Sequence, residues 1–116
     1  MSAEDQKLLK LAALALGGEY SYGNCADGTK TGFLEFGPEI EYWNPLDDDG
    51  DAFRLMVSLG IEVNRVNCMQ KTICFYSRHR EIIQFDEQSN CDPCASTRRA
   101  IVRAAAAIGE QLEGRL

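Results

Sequence analysis

Apolar residues recur at helical spacing in three stretches of the chain and alternate at strand spacing in six others. In residues 4–17, Leu8, Leu11, Ala12 and Ala15 form one stripe, widened by Leu9 and Leu16, which predicts an amphipathic helix. Ser2 is placed to cap it and Gly17-Gly18 to stop it. Residues 19–23 and 32–36 alternate as strands, with Tyr20 and Tyr22 on one side of the first and Leu34 and Phe36 on one side of the second. The turn-rich segment Gly23–Gly32 joins them, and a short strand from Glu39 to Tyr42 follows the Gly37-Pro38 break. Three further strands are expected around 61–67, 71–77 and 81–86, with Ile61 and Val63, Ile73 and Phe75, and Ile83 and Phe85 each marking one face. The connectors Asn67–Gln70 and Ser77–Arg80 are hairpin-sized. Residues 93–112 close the pattern as a helix whose buried stripe reads Ile101, Ala104, Ala105, Ile108 and Leu112, with Asp92 as N-cap and Pro93 in the first helical position.

The stretch from Trp43 to Gly60 organises the rest. Pro45 ends the preceding strand, because it fixes its own φ and pushes Asn44 toward an extended conformation. Asp47, Asp48, Asp49 and Asp51 crowd the start of a helix whose face is Ala52, Leu55, Met56 and Leu59. Short carboxylates there accept hydrogen bonds from first-turn N–H groups and sit well against the helix dipole. Gly60 marks the stop. A calcium loop built on Gly50 fails, since Pro45 and Met56 would occupy positions that need carboxylates. The resulting order is α-β-β-(β)-α-β-β-β-α. Hairpin-length connections make this an α+β chain, with a largely antiparallel sheet covered by about three helices, in a single domain spanning residues 1–116.

Charge and cysteine usage narrow the chemistry. The 116 residues carry a net charge of −6. It is uneven: residues 1–62 hold 12 acids and 4 bases, and Glu35 to Asp51 holds seven acids and no base. That balance argues against nucleic-acid binding, which rests on neutralising phosphates; the acids read first as solubility and helix capping, and as the sharper alternative a surface that steers toward a basic partner. Lys30-Thr31 does not complete a phosphate-binding loop. No apolar run approaches membrane-spanning length, and the acidic start Met1–Asp5 lacks the features of a secretory signal, which points to the cytoplasm. Of the five cysteines, Cys91 and Cys94 have the spacing of half a zinc site or of a redox pair, but further ligands are not evident and His79 is the single histidine. No catalytic constellation and no cofactor motif stands out. Arg98, Arg99 and Arg103 lie on the last helix; Arg99 and Arg103 share a face and are expected to pair with the acidic start of the central helix.

The pieces Trp43–Leu55 and Ala95–Gly109 resemble matching pieces of the phage ABA sandwich domain family, small proteins of bacteriophages and prophages related to the phage NinX-like proteins. The first helix resembles the family loosely, and the segment carrying Cys68, Cys74 and Cys91 is peculiar to this chain. The resemblance implies an α/β/α sandwich and a phage or prophage origin, hence a bacterial host cytoplasm. It implies no established activity and no catalytic residues.

Three functions are then in view. The first is a non-enzymatic accessory protein binding a host or phage protein. The second is a small-molecule, nucleotide-binding or catalytic domain using Trp43, Asn44, Asp47, Asp48, Asp49 and Asp51 with Arg98 and Arg99 across a cleft. The third is a nucleic-acid accessory role through Arg78, Arg80, Arg98, Arg99 and Arg103. A homodimer is compatible with each.

Overall fold

The computed structural model describes residues 2–78, 81–88 and 92–114. Among them the elements follow the expected order: α1 (Ala3–Ala15), β1 (Glu19–Asn24), β2 (Lys30–Phe36), β3 (Glu39–Tyr42), α2 (Asp49–Leu59), β4 (Glu62–Val66), β5 (Lys71–Arg78), β6 (Glu81–Gln88) and α3 (Pro93–Glu113), with a short helical turn at Asn67–Met69. The fold is α+β and every strand pair is antiparallel. The strands divide into two sheets of three, β1-β2-β3 and β4-β5-β6. Hairpin-sized connectors fix the pairing within each trio. They leave open whether β3 joins β4, and here α2 intervenes between the two sheets.

The helix ends follow local chemistry. Ser2 Oγ accepts from the Asp5 N–H at 3.1 Å, and Asp92 Oδ1 from the Ala95 N–H at 2.9 Å. Asp48 caps α2 and its Oδ1 accepts from the Gly50 N–H at 3.0 Å. Gly60 ends α2 with φ of 69°, a left-handed conformation that glycine adopts without strain.

The two longer helices form the centre. α3 packs on α1, on α2 and on the second sheet, while α1 also covers β1 of the first sheet. Ala12 and Ala13 of α1 and Ala100, Ala104 and Ala105 of α3 are fully enclosed. At Gly109 the approach is so close that an added Cβ would fall on the backbone carbonyl of Leu11. On the first sheet, Tyr20, Leu34 and Trp43 complete the core, with Trp43 edge-on to Tyr20 at 6.1 Å between ring centroids.

Three details differ from the periodicity. On α1, Leu9 and Ala13 are buried while Leu8 and Ala15 are only partly so, which rotates the buried face by about one position. On α3, Leu112 is exposed beyond the packed region, whereas Val102, Ala106 and Gly109 widen the buried surface, because this helix meets neighbours on several sides. On β5, the enclosed residues are Thr72, Cys74 and Tyr76 rather than Ile73 and Phe75. The register pairs Cys74 with Val63 and Phe85, and Tyr76 with Ile83, so the small Thr72 and Cys74 lie beneath α3. Sheet residues directly opposite one another share a face, which puts Ile73 and Phe75 on the outer side.

Two predictions follow from this packing. Replacing a helical glycine by alanine ordinarily stabilises by about 0.5–1 kcal/mol. Gly109→Ala instead destabilises the protein by about 1–3 kcal/mol through overpacking against Leu11, read as a lower urea midpoint at unchanged slope. Burial also pushes the Cys74 thiol up to about 12 from an ordinary 9.0, and raises the Tyr20 and Tyr76 hydroxyls in the same direction. These groups stay protonated in the folded chain where the unfolded chain ionises. Their contribution is therefore full below about pH 9 and is lost as pH rises toward 12. A urea midpoint that falls over that window, and falls less steeply in Cys74→Ala, is the expected result.

Candidate functional site

The acidic turn before α2 is held by its own side chains. Trp43 continues the β2–β3 ladder by donating its N–H to the Gly32 carbonyl at 3.0 Å, and its ring is buried. The Asn44 carbonyl accepts from the N–H groups of Asp47 and Asp48, and its side-chain oxygen accepts from the Leu46 N–H. The Asn44 amide nitrogen donates to Asp47 Oδ2 at 3.1 Å. Asp51 lies inside this turn, 8% exposed; its Oδ2 accepts from the Asn44 N–H at 2.9 Å and its Oδ1 from Arg54 Nη2 at 2.6 Å. Trp43, Asn44 and Asp51 thus brace the turn, while Asp47, Asp48 and Asp49 face solvent.

The arginines of α3 separate by direction. Arg98 reaches the acidic turn: its Nε donates to the Leu46 carbonyl at 2.8 Å and its Nη1 to Asp49 Oδ1 at 2.7 Å. Arg99 turns to α1 and bonds Asp5 Oδ1 at 2.9 Å, with Glu4 3.7 Å away; the hydrogen bond to Asp5 raises its affinity for its proton. Arg103 bonds Glu87 Oε2 of β6 at 2.6 Å. The expected pairing of Arg99 and Arg103 with α2 is corrected to Arg98 alone. Successive helical residues diverge by about 100°, so Arg98 and Arg99 serve different neighbours. All three are engaged with carboxylates of this chain: Arg98 touches the acidic turn directly and Arg99 turns to α1, so the pair does not face that turn together across a cleft.

The concave site lies beside this bracket, between α2, β4 and the first turns of α3. It is a groove of about 430 Å³, floored by Ala52, Met56, Val63 and Ile101. Phe53 stands at its rim, 61% exposed. Asp49 and Arg98 close one end, and Arg65, Asn67, Pro93, Cys94 and Thr97 border the other side. A polar cluster fixes that border. Arg65 Nη1 donates to Thr72 Oγ1 at 3.3 Å and Ser96 Oγ at 3.4 Å, and Thr72 and Thr97 share a hydrogen bond of 2.7 Å. Both Ser96 and Thr97 donate to the Pro93 carbonyl within α3, and their bonds to Arg65 and Thr72 tie the start of the helix to the second sheet. The groove was not legible as a site. Ala52 and Met56 read as core, and Phe53 and Val57, apolar but off the buried stripe of α2, were the signal that apolar surface remained uncovered.

The arrangement offers shape and apolar area rather than reactive chemistry. Among the described residues no three His, Cys, Asp or Glu side chains gather as metal ligands. Cys94 is exposed at the start of α3; Cys91, His79 and Arg80 lie outside the described residues, as does any pairing of Cys91 with Cys94. No described helix is long and apolar enough to cross a membrane. No protein-family model matches the chain, and no curated protein and no solved structure is similar to it.

The bracket makes a quantitative prediction. Asp51→Ala leaves the partly buried Asn44 N–H without its carboxylate and costs about 1–3 kcal/mol. Asp49→Ala removes a carboxylate that is largely in water and costs at most about 1 kcal/mol. Urea denaturation of both variants gives the order; equal costs would mean that the turn is not held through Asp51.

Proposed function

We propose that this protein is a non-enzymatic accessory protein that binds another protein through the groove between α2, β4 and α3. The observation that carries this reading is an open apolar groove with Phe53 at its rim 61% exposed, and Val57, one turn further along α2, 60% exposed. Uncovered aromatic and aliphatic groups beside a hollow are what a partner's anchoring side chain needs. The neighbouring Asp47 and Asp48 supply a negative field that speeds association with a basic partner, while Asp49 is paired with Arg98. The resemblance to the phage ABA sandwich domain family supports a host or phage protein as that partner and the bacterial cytoplasm as the place of encounter. The ion pairs of Arg98, Arg99 and Arg103 support this reading over nucleic-acid binding, since those cations already meet carboxylates.

A second reading has one observation in its favour. A volume of about 430 Å³ with an apolar floor falls within the size of small-molecule sites. An apolar ligand carried through purification would appear as added mass in native mass spectrometry of the protein isolated from bacteria.

The test places a photo-crosslinking benzoylphenylalanine at Phe53, at the groove, or at Lys10, exposed on α1. Irradiation in bacterial lysate is expected to give one dominant adduct from position 53 and none from position 10. Phe53→Asp, a change at an exposed position, is expected to reduce recovery of the same partner more than about tenfold with the fold retained by circular dichroism. Adducts that do not depend on position would overturn the proposal.

A further inference from the structure

A second surface, separate from the groove, is the free edge of the first sheet. The sheet order ends at β3, and all four of its residues, Glu39-Ile40-Glu41-Tyr42, are exposed. Its packing is against β2, with no described helix laid over it. An edge strand presents unpaired N–H and C=O groups that accept another strand.

The two faces of this edge are chemically distinct. Ile40 and Tyr42 are 62% and 67% exposed, and the Tyr42 ring lies 5.4 Å from that of Phe33 on β2. The register pairs Tyr42 with Phe33 and Ile40 with Glu35, so these residues form an uncovered, largely apolar outer face. On the opposite face, Glu39 and Glu41 lie across from Phe36 and Leu34. They border a hollow of about 480 Å³ floored by those two apolar side chains.

A second copy of β3 is a poor occupant. In an antiparallel pair of two such strands, any register that keeps Ile40 and Tyr42 on one face sets a glutamate of one copy opposite a glutamate of the other. Like charges directly opposite destabilise a ladder. The out-of-phase registers set Ile40 or Tyr42 opposite glutamate and bring the apolar face of one copy beside the acidic face of the other. A segment that alternates lysine or arginine with apolar residues meets both faces at once. Its cations would pair with Glu39 and Glu41 while their aliphatic stems lie against the exposed Phe36, and its apolar side chains would extend the Phe33–Ile40–Tyr42 face.

We infer that β3 is a docking edge for an extended protein segment of alternating basic and apolar residues, added as a fourth antiparallel strand to the first sheet. Main-chain hydrogen bonds supply the attachment and the two-sided pattern supplies the selectivity.

The test uses the full chain and three labelled eight-residue peptides: alternating Lys-Val, alternating Glu-Val, and Lys-Val carrying N-methyl groups on alternate amides. The Lys-Val peptide is expected to bind by fluorescence anisotropy and to protect β3 amides in hydrogen exchange. The Glu-Val peptide and the N-methylated peptide are expected to bind at least about tenfold more weakly. The double variant Glu39→Lys, Glu41→Lys is expected to exchange the preference toward Glu-Val. Because all these side chains are exposed, the variant folds, which its circular dichroism confirms. Absence of Lys-Val binding, binding that ignores N-methylation, or a dimer in sedimentation that Ile40→Lys dissolves would each overturn the inference.

Discussion

The close contact of α1 with α3 is the constraint on which the rest depends. Small residues let the two backbones approach until Gly109 meets the Leu11 carbonyl, and no larger residue fits there. With α1 and α3 fixed, each can carry one sheet: α1 covers β1, and α3 lies on β4, β5 and β6. The two sheets share no strand pairing in the described chain, so the helices join them. The helix contact made in this way is dense with alanine, and larger side chains such as Tyr20, Leu34 and Trp43 fill the core beside it. The precision of that contact comes from backbone proximity rather than from interdigitating leucines.

The acidic residues divide between two tasks. Asp48 and Asp51 satisfy N–H groups that the turn and the helix start would otherwise leave unpaired, and Asp49 receives Arg98. This last contact ties α2 to α3, and Arg98 also bonds the Leu46 carbonyl of the turn before α2. Arg99 and Arg103 extend the same principle to α1 and β6. α3 is thereby oriented about its own axis as well as positioned. The ion pairs contribute modestly to stability where they are exposed, and more to which face of α3 meets which neighbour. Asp47 and the glutamates of β3 remain as negative surface.

Much of the fold could be read from the residues, and the parts that could not have identifiable causes. The caps at Ser2 and Asp92 and the stop at Gly60 act through bonds between near neighbours, so local sequence contains them. The inner face of β5 does not have that property. Thr72, Cys74 and Tyr76 alternate with Ile73 and Phe75, and both sets are apolar enough to be buried. The choice is made by registry with Val63 and by the room beneath α3, which are long-range facts. The Arg98 contact is long-range in the same way, since a partner 49 residues away in sequence cannot be inferred from spacing along one helix. The groove was hidden for a further reason. Its floor residues follow the helical period of a buried face, and periodicity cannot distinguish a face that is covered from one that is left open.

That last distinction matters for function. A chain of this size buries apolar residues wherever its geometry permits, so apolar groups left outside identify places where the fold's own packing stops. Among the described residues Met69 and Leu112 stand out singly, but two such places gather several apolar groups: α2 with Phe53 and Val57, and the outer face of β2–β3 with Phe33, Ile40 and Tyr42. The two differ in charge. The groove is bordered by Asp49 already paired with Arg98, and by Arg65. The β3 edge carries Glu39 and Glu41 and no base. A self-association surface at β3 would need each glutamate to find a cation on the other copy, and the strand offers none. At that edge, apolar contact and negative charge on the same strand select for partners that are apolar and basic at once, and they disfavour both acidic proteins and further copies of this one.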